Sequence, residues 1–192
     1  NRSFFFVTTV TKPLDRSCPV FITSIIVMIV MKYWSPNSAT SFLTQKGFIM
    51  TAVLSGKVAL VTGGSRGLGA ATAEKLADLG ADVAISYASS DEKAKAVVNR
   101  LGSKGVRAIA IKSDQSDLAS AKPLIDAVIA EFGKLDILVN NAGIAIQGQS
   151  VDDPELDGEN YNRKWQVNVM GTIANTRAAA PRLSDDGRII FI

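Results

Sequence analysis

The apolar run Val58-Ala59-Leu60-Val61 leads without a break into Thr62-Gly63-Gly64-Ser65-Arg66-Gly67-Leu68-Gly69, and a helical pattern begins inside that loop. An uninterrupted apolar strand implies cover on both faces, and a helix that starts at its end supplies cover on one of them. The same alternation recurs down the chain. Ala70, Ala73, Leu76, Ala77 and Leu79 mark a first helix that Gly80 closes, followed by a strand from Asp82 to Tyr87, a helix from Asp91 to Ser103, and a strand from Val106 to Ile111. A third helix ends near Phe132-Gly133. Beyond it come the strand Ile137-Leu138-Val139, a loop rich in Gly and Asp, a long helix from Tyr161 to Leu183, and a last strand in Arg188-Ile189-Ile190-Phe191-Ile192. Strands alternating with helices in this way are βαβ units, so the expected fold is α/β, a three-layer doubly wound parallel sheet that stops on its fifth strand.

Charge separates two parts of the chain. Of its 192 residues, 47% are hydrophobic and 20% charged, with a net charge of +3. Residues 1–49 hold Arg2, Lys12, Arg16, Lys32 and Lys46 against Asp15, and the remainder carries 16 basic and 17 acidic residues. The basic excess therefore sits in the leader, and the main domain, taken as 50–192, gives no reason to expect nucleic-acid binding. The leader begins with Asn1 and contains an uncharged run from Ser17 to Met31. As a helix that run reaches about 22 Å, short of a hydrocarbon core of roughly 30 Å. It is a poor membrane span, and Lys32-Tyr33-Trp34 stands where a small-residue cleavage site belongs. Three readings stay open: residues upstream of the true start at Met50, a targeting or anchoring segment, or a structured extension; the first places 1–49 outside the fold. The chain contains no His and only Cys18. That removes Ser/His and Cys/His nucleophile pairs, most catalytic zinc spheres and any internal disulfide, and makes a cytoplasmic location the expectation. The acidic stretch Asp152, Asp153, Glu155, Asp157 and Glu159 reads as a solvated loop; no metal site is expected.

Glycines between a strand and a helix let the backbone turn tightly and approach a pyrophosphate, which meets free N–H groups and the positive end of the helix dipole. This is the arrangement of a Rossmann fold. The G-x-S-x-G nucleophile elbow also fits Gly63-Gly64-Ser65-Arg66-Gly67, but fails without a histidine. A purely structural glycine turn stays open as the alternative. About twenty residues beyond such a loop an acidic residue accepts the ribose hydroxyls of NAD, whereas a 2′-phosphate needs that carboxylate absent and a cation near. Here the second strand ends Ser86-Tyr87-Ala88-Ser89-Ser90, and Arg66 in the glycine loop can supply the cation. NADP(H) is therefore the expected cofactor. Ser89 with Glu92 three residues later also reads as a capping box for the second helix, and both roles are compatible.

The Thr62 to Gly69 loop, Asp114 after the third strand, Asn140-Asn141-Ala142-Gly143 after the fourth, and Asn168 within Val-Asn-Val together resemble the short-chain dehydrogenase/reductase family over about residues 52–192. The segments Ser86 to Glu92 and Gly187 to Phe191 look most like NADPH-preferring ketone reductases, fungal polyketide-type and acyl-carrier-type members among them. The resemblance implies a cofactor site of Gly63, Ser65, Arg66, Gly67, Leu68, Gly69, Tyr87, Ser89, Ser90, Asp114, Gln115, Asn141, Ala142 and Gly143. In it Asp114 would meet the adenine amino group, with a plain turn aspartate as the alternative reading. Asn140 would tie the central strands together. Asn168 would interrupt the long helix and support catalysis by positioning a water, against the alternative of an asparagine on a solvent face.

The departure from the family concerns proton transfer. Its members use a Tyr-x-x-x-Lys pair and a Ser near the nicotinamide, chemistry that requires a hydroxyl with a pKa brought toward the working pH. In this sequence Tyr33 is followed four positions on by Asn37, Tyr87 by Asp91 and Tyr161 by Trp165. The expectation is the cofactor-binding part of an NADP(H)-dependent oxidoreductase that moves hydride between nicotinamide and a ketone or secondary alcohol, inactive as the chain stands. Its expected partners are a small carbonyl or alcohol substrate and, through the long helix, a second copy in the full-length form. The competing expectation is an inactive module that holds nucleotide or docks a partner.

Overall fold

The computed structural model describes residues 8–11, 52–145 and 158–192. Strand β1 (Thr8–Thr11) is followed by β2 (Val58–Val61), helix α1 (Gly67–Asp78), β3 (Asp82–Tyr87), α2 (Asp91–Gly102), β4 (Ala108–Lys112), α3 (Ala121–Phe132) and β5 (Leu135–Asn140). Then come α4 (Gly158–Trp165), a π-helical segment Gln166–Gly171, α5 (Thr172–Ala179) and β6 (Leu183–Phe191). The sheet order is β1-β6-β5-β2-β3-β4. Strands β2 to β6 pair in parallel, while β1 lies antiparallel on the outer edge of β6. Thr8–Thr11 comes from the basic leader; the uncharged run Ser17–Met31, Cys18 and most of the acidic stretch lie outside the described residues. No helix among the described residues is long and apolar enough to cross a membrane.

The layers follow from the two-residue period of β2, which is buried throughout. Ala59 and Val61 face one side, with Val83, Ile85, Val97 and Leu101 in the core under α1 and α2. Val58 and Leu60 face the other, among Leu124, Ile125, Val128, Leu138 and Ala179 of α3, β5 and α5. Alanines at Ala70, Ala73 and Ala77 give α1 a buried face of small side chains that lets the helix lie close to the sheet. Because β2 has β3 on one side and β5 on the other, successive crossovers leave in opposite directions, and a crevice opens at the carboxyl ends of β2 and β5.

The long helix expected from Tyr161 to Leu183 is not continuous. It is α4, the π segment and α5, closed by a short turn of 3-10 helix at Ala180–Arg182. The last strand begins at Leu183 rather than near Arg188, with a register shift opposite Leu135 to Ile137. Asn140 is buried and donates from Nδ2 to Thr176 Oγ1 at 3.1 Å, fastening β5 to α5.

At the opposite end of the strands, a buried carboxylate interrupts the apolar run of β5. Asp136 Oδ2 accepts from the Val58 N–H at 2.8 Å and lies 3.1 Å from Lys134 Nζ, while Oδ1 lies 3.6 Å from Lys57 Nζ. Burial by itself would raise the Asp136 pKa, but the Val58 N–H, Lys134 and Ser184 more than offset it, and the carboxyl is held below its ordinary value of 3.8. A depressed carboxyl stabilises the fold above its unfolded pKa and loses that contribution as pH falls through the folded one. Asp136→Ala should lower the free energy of unfolding by about 3 kcal/mol, because it strands the Val58 N–H and removes the counter-charge of Lys134. Urea denaturation at neutral pH measures this. Repeated below pH 4, it should show a smaller gap between parent and variant.

Candidate functional site

The crevice is built on a contact between two loops. Thr62, fully buried at the end of β2, donates from its N–H to Val139 O at 3.0 Å. Its Oγ1 accepts from the N–H groups of Asn141 and Ala142, each at 3.0 Å. Asn141 returns the link, donating from Nδ2 to Thr62 O at 2.9 Å and to Gly63 O at 3.3 Å. This approach leaves no room for side chains. A Cβ on Gly63, whose φ is +65°, would lie 2.8 Å from Ala142 Cα, and one on Gly69 would lie 2.5 Å from Gly63 O. The chain's own packing therefore accounts for these two glycines before any ligand is considered.

Helix α1 opens toward the crevice without a cap. Arg66, at the N-cap position, is extended at φ −162° and ψ 171°, with no side-chain cap hydrogen bond and no acidic residue in the first turn. The first N–H groups of a helix have no intrahelical acceptor, so this end presents donors and a partial positive charge. Around it lies a cleft of about 320 Å³. Thirteen of the fourteen residues expected at a cofactor site line it: Gly63, Ser65, Arg66, Leu68, Gly69, Tyr87, Ser89, Ser90, Asp114, Gln115, Asn141, Ala142 and Gly143. Gly67 is not on the lining, and its φ of +55° makes it part of the turn. Arg163 and Ile144 also line the cleft, and nothing in the sequence singled them out.

Ser89 and Glu92 do not form the expected capping box. The N-cap of α2 is Ser90, with no side-chain cap bond, and Glu92 Oε1 accepts from Lys95 Nζ at 3.1 Å instead. A one-residue shift in the helix start takes Glu92 out of the position from which it could close the box, and both serines remain on the cleft wall. Asp91, the first residue of α2, acts on the Tyr87 phenol and, ahead of burial, raises its pKa.

Asp114 does form a turn. Its Oδ1 accepts from Ser116 N at 2.9 Å and from Ser116 Oγ at 2.8 Å, while Oδ2 lies 3.6 Å from Arg163. The Ser116 N–H is the main cause of a lowered Asp114 pKa, so the group is a carboxylate at neutral pH. The turn uses one oxygen, and the other lies beside Arg163, which also lines the cleft. Asn168 lies in the π segment and is exposed, yet both ends of its amide are engaged by one residue: Oδ1 accepts from Ile144 N at 2.8 Å and Nδ2 donates to Ile144 O at 2.9 Å. It fixes the wall of the cleft without lining it. Among the described residues no cluster of His, Cys, Asp and Glu could hold a metal ion.

Thr62→Val keeps the shape of the buried side chain but leaves the Asn141 and Ala142 N–H groups without an acceptor. It should cost about 2–3 kcal/mol of stability, and Thr62→Ser less than about 1.5. Thermal and urea unfolding of the two variants side by side measure the difference.

The sequence pattern of the short chain dehydrogenase family matches residues 57–192. A probable tetrahydroxynaphthalene reductase from Zymoseptoria tritici is 41% identical over 145 residues, which cover 76% of this chain and 53% of that protein. An uncharacterized oxidoreductase from Methylorubrum extorquens is 44% identical over 139 residues, covering 72% and 55%. The chain thus spans about half the length of the curated relatives it matches. Among solved structures, a short chain dehydrogenase from Burkholderia cenocepacia in complex with NADP superposes with a TM-score of 0.65 at 49% identity, covering 69% of this chain and 53% of that one. A blue fluorescent protein from a metagenomic library, in complex with NADPH, gives 0.65 at 41% identity, covering 70% and 54%. With a parallel sheet wound about β2, a glycine loop locked to the Asn141 loop, and a family match running from Lys57 to the last residue, the chain belongs to the short-chain dehydrogenase family.

Proposed function

We propose that the cleft binds NADP(H), and that the chain supplies the cofactor site of an oxidoreductase acting on a ketone or secondary alcohol. The observation that carries the choice of cofactor is the surface beyond β3. Arg66 is exposed and lines the cleft, Ser89 and Ser90 line it with no side-chain hydrogen bond capping α2, and the stretch of wall from Ser86 to Ser90 carries no acidic residue. A 2′-phosphate would find a cation and hydroxyl donors there, with no carboxylate on that stretch of the wall. Complexes with NADP and NADPH among the structural relatives support the same choice.

The remaining residues divide the work along the cleft. The uncapped N-terminus of α1 would hold the pyrophosphate, its N–H groups donating and Gly63 and Gly69 keeping the surface free of side chains. The Asp114 oxygen that the turn does not use, paired with Arg163, would accept from the adenine amino group. Asn141, Ala142 and Gly143 would form the wall against the nicotinamide ribose, held in place by Thr62 and Asn168. When bound, the nicotinamide supplies or accepts a hydride. No Tyr-x-x-x-Lys pair occurs in the 192 residues, so the proton relay that the family resemblance implies has no counterpart among them. The reductase name of the fungal relative supports a carbonyl substrate for the whole protein. Exposed Trp165 and Ile173, on α4 and α5, support pairing of two copies along this helix, and a cytoplasmic location completes the proposal.

Titrating the chain with NADPH and NADH tests the cofactor. Tighter binding of NADPH is expected, and Arg66→Ala should weaken it about tenfold or more while changing NADH by less than about twofold. An NADH preference in the parent overturns the assignment.

A further inference from the structure

Gln115 carries more connections than a cofactor contact needs. Its Nε2 donates to Val167 O at 2.8 Å and to Ala142 O at 3.1 Å, and its Oε1 accepts from Nδ2 of the buried Asn175 at 2.9 Å. A primary amide has two N–H donors and one carbonyl, so both ends of this one are engaged within the protein. The bonds join three separate segments: the loop after β4, the loop after β5 and the long helix. A π segment shifts the helical ladder by a residue, and Gln115 supplies a donor to one of its carbonyls, that of Val167. The approach is tight. A Cβ on the buried Gly171, at the end of the π segment, would overlap both Gln115 Cγ and the Gln115 carbonyl oxygen.

Two rungs thus connect the loop after β5 to the helix. Gln115 ties Ala142 to Val167, and Asn168, the next residue, ties the helix to Ile144. The neighbouring Asp114 does not depend on the Gln115 amide. It is fixed by Ser116, and its carbonyl accepts from Ser120 Oγ at 3.0 Å.

We propose that Gln115 is a positioning residue: by clamping the Ala142 carbonyl to the π segment it sets the wall of the cleft at Asn141–Ile144, and touches no part of the cofactor with its side chain. The proposal rests on the NADP(H) reading and makes a separable prediction. Loss of the clamp disturbs the half of the cleft that the nicotinamide ribose would occupy and spares the half around Asp114, Arg66 and Ser89.

The test is a comparison of two ligands. The parent chain, Gln115→Met and Gly171→Ala are titrated with NADPH and with 2′,5′-ADP, which has the adenine and the 2′-phosphate but no nicotinamide. Met keeps the length of Gln without its hydrogen bonds, and Ala at position 171 pushes on the same contact from the helix side. Each variant should bind NADPH about tenfold more weakly and 2′,5′-ADP within about twofold of the parent. Equal losses for both ligands, or no loss for either, overturn the proposal while leaving the cofactor reading intact. Failure of the parent to bind NADPH overturns both. The unaltered chain gives a reading that needs no variant: the Gln115 side-chain amide protons should be protected from exchange and keep their resonance position when 2′,5′-ADP binds. Rapid exchange, or a shift on adding that fragment, overturns the proposal even if neither variant folds.

Discussion

The close approach of Thr62-Gly63 to Asn141-Ala142 is the constraint on which the site depends. β2 and β5 are neighbours whose connections leave toward opposite sides of the sheet, so their ends would diverge if nothing held them. One buried hydroxyl accepting from two successive N–H groups closes the gap, and the Asn141 amide donates back to the Thr62 and Gly63 carbonyls. Everything above is set by that closure. The starting point of α1 follows from it through Gly69, and the wall of the cleft follows through Ala142 and Ile144.

The two ends of the sheet carry opposite electrostatic arrangements. At the amino ends of the strands, the buried Asp136 is met within the protein by the Val58 N–H, Lys134 and Lys57, so its charge is balanced there. At the carboxyl ends the balance is left incomplete. The first turn of α1 has no capping side chain and no acidic residue, and Arg66 stands exposed beside it. Helix termini of this kind are sites for anions, and burying one without a partner would be costly. A proposed dinucleotide answers that incompleteness along the length of the cleft, whereas a single small anion would satisfy only its centre.

The sheet was legible because its signals are local. Four-residue apolar runs, glycines at helix ends and the period of the helices report the elements directly, and the parallel order follows from their alternation. The glycine loop was legible too, though part of its composition answers to Ala142, a residue some 80 positions away, as well as to any ligand. What stayed hidden was the pairing of side chains across long separations. Nothing in the sequence sets Asp136 apart from the other charges, although it is buried beside Val58, and Gln115 and Gly171 carry no local pattern that connects them. The Ser89 and Glu92 box failed for the opposite reason, a correct local pattern displaced when α2 began after Ser90. Asn168 shows the limit most clearly. Exposure and a side chain committed to the structure are alternatives in a sequence, and here both hold at once.

The proposed dinucleotide would lie with its anionic phosphates across the uncapped end of α1, between the two loops. Amide resonances followed during an NADPH titration of the isotopically labelled chain test it most directly. The predicted result is large shifts at Leu68 and Gly69, with smaller ones at Asp114 and at Asn141 to Gly143, and little change at Val58 or Asp136 at the far end of the same strands. Shifts confined to other surfaces, or none at Leu68 and Gly69 when NADPH is bound, would contradict it.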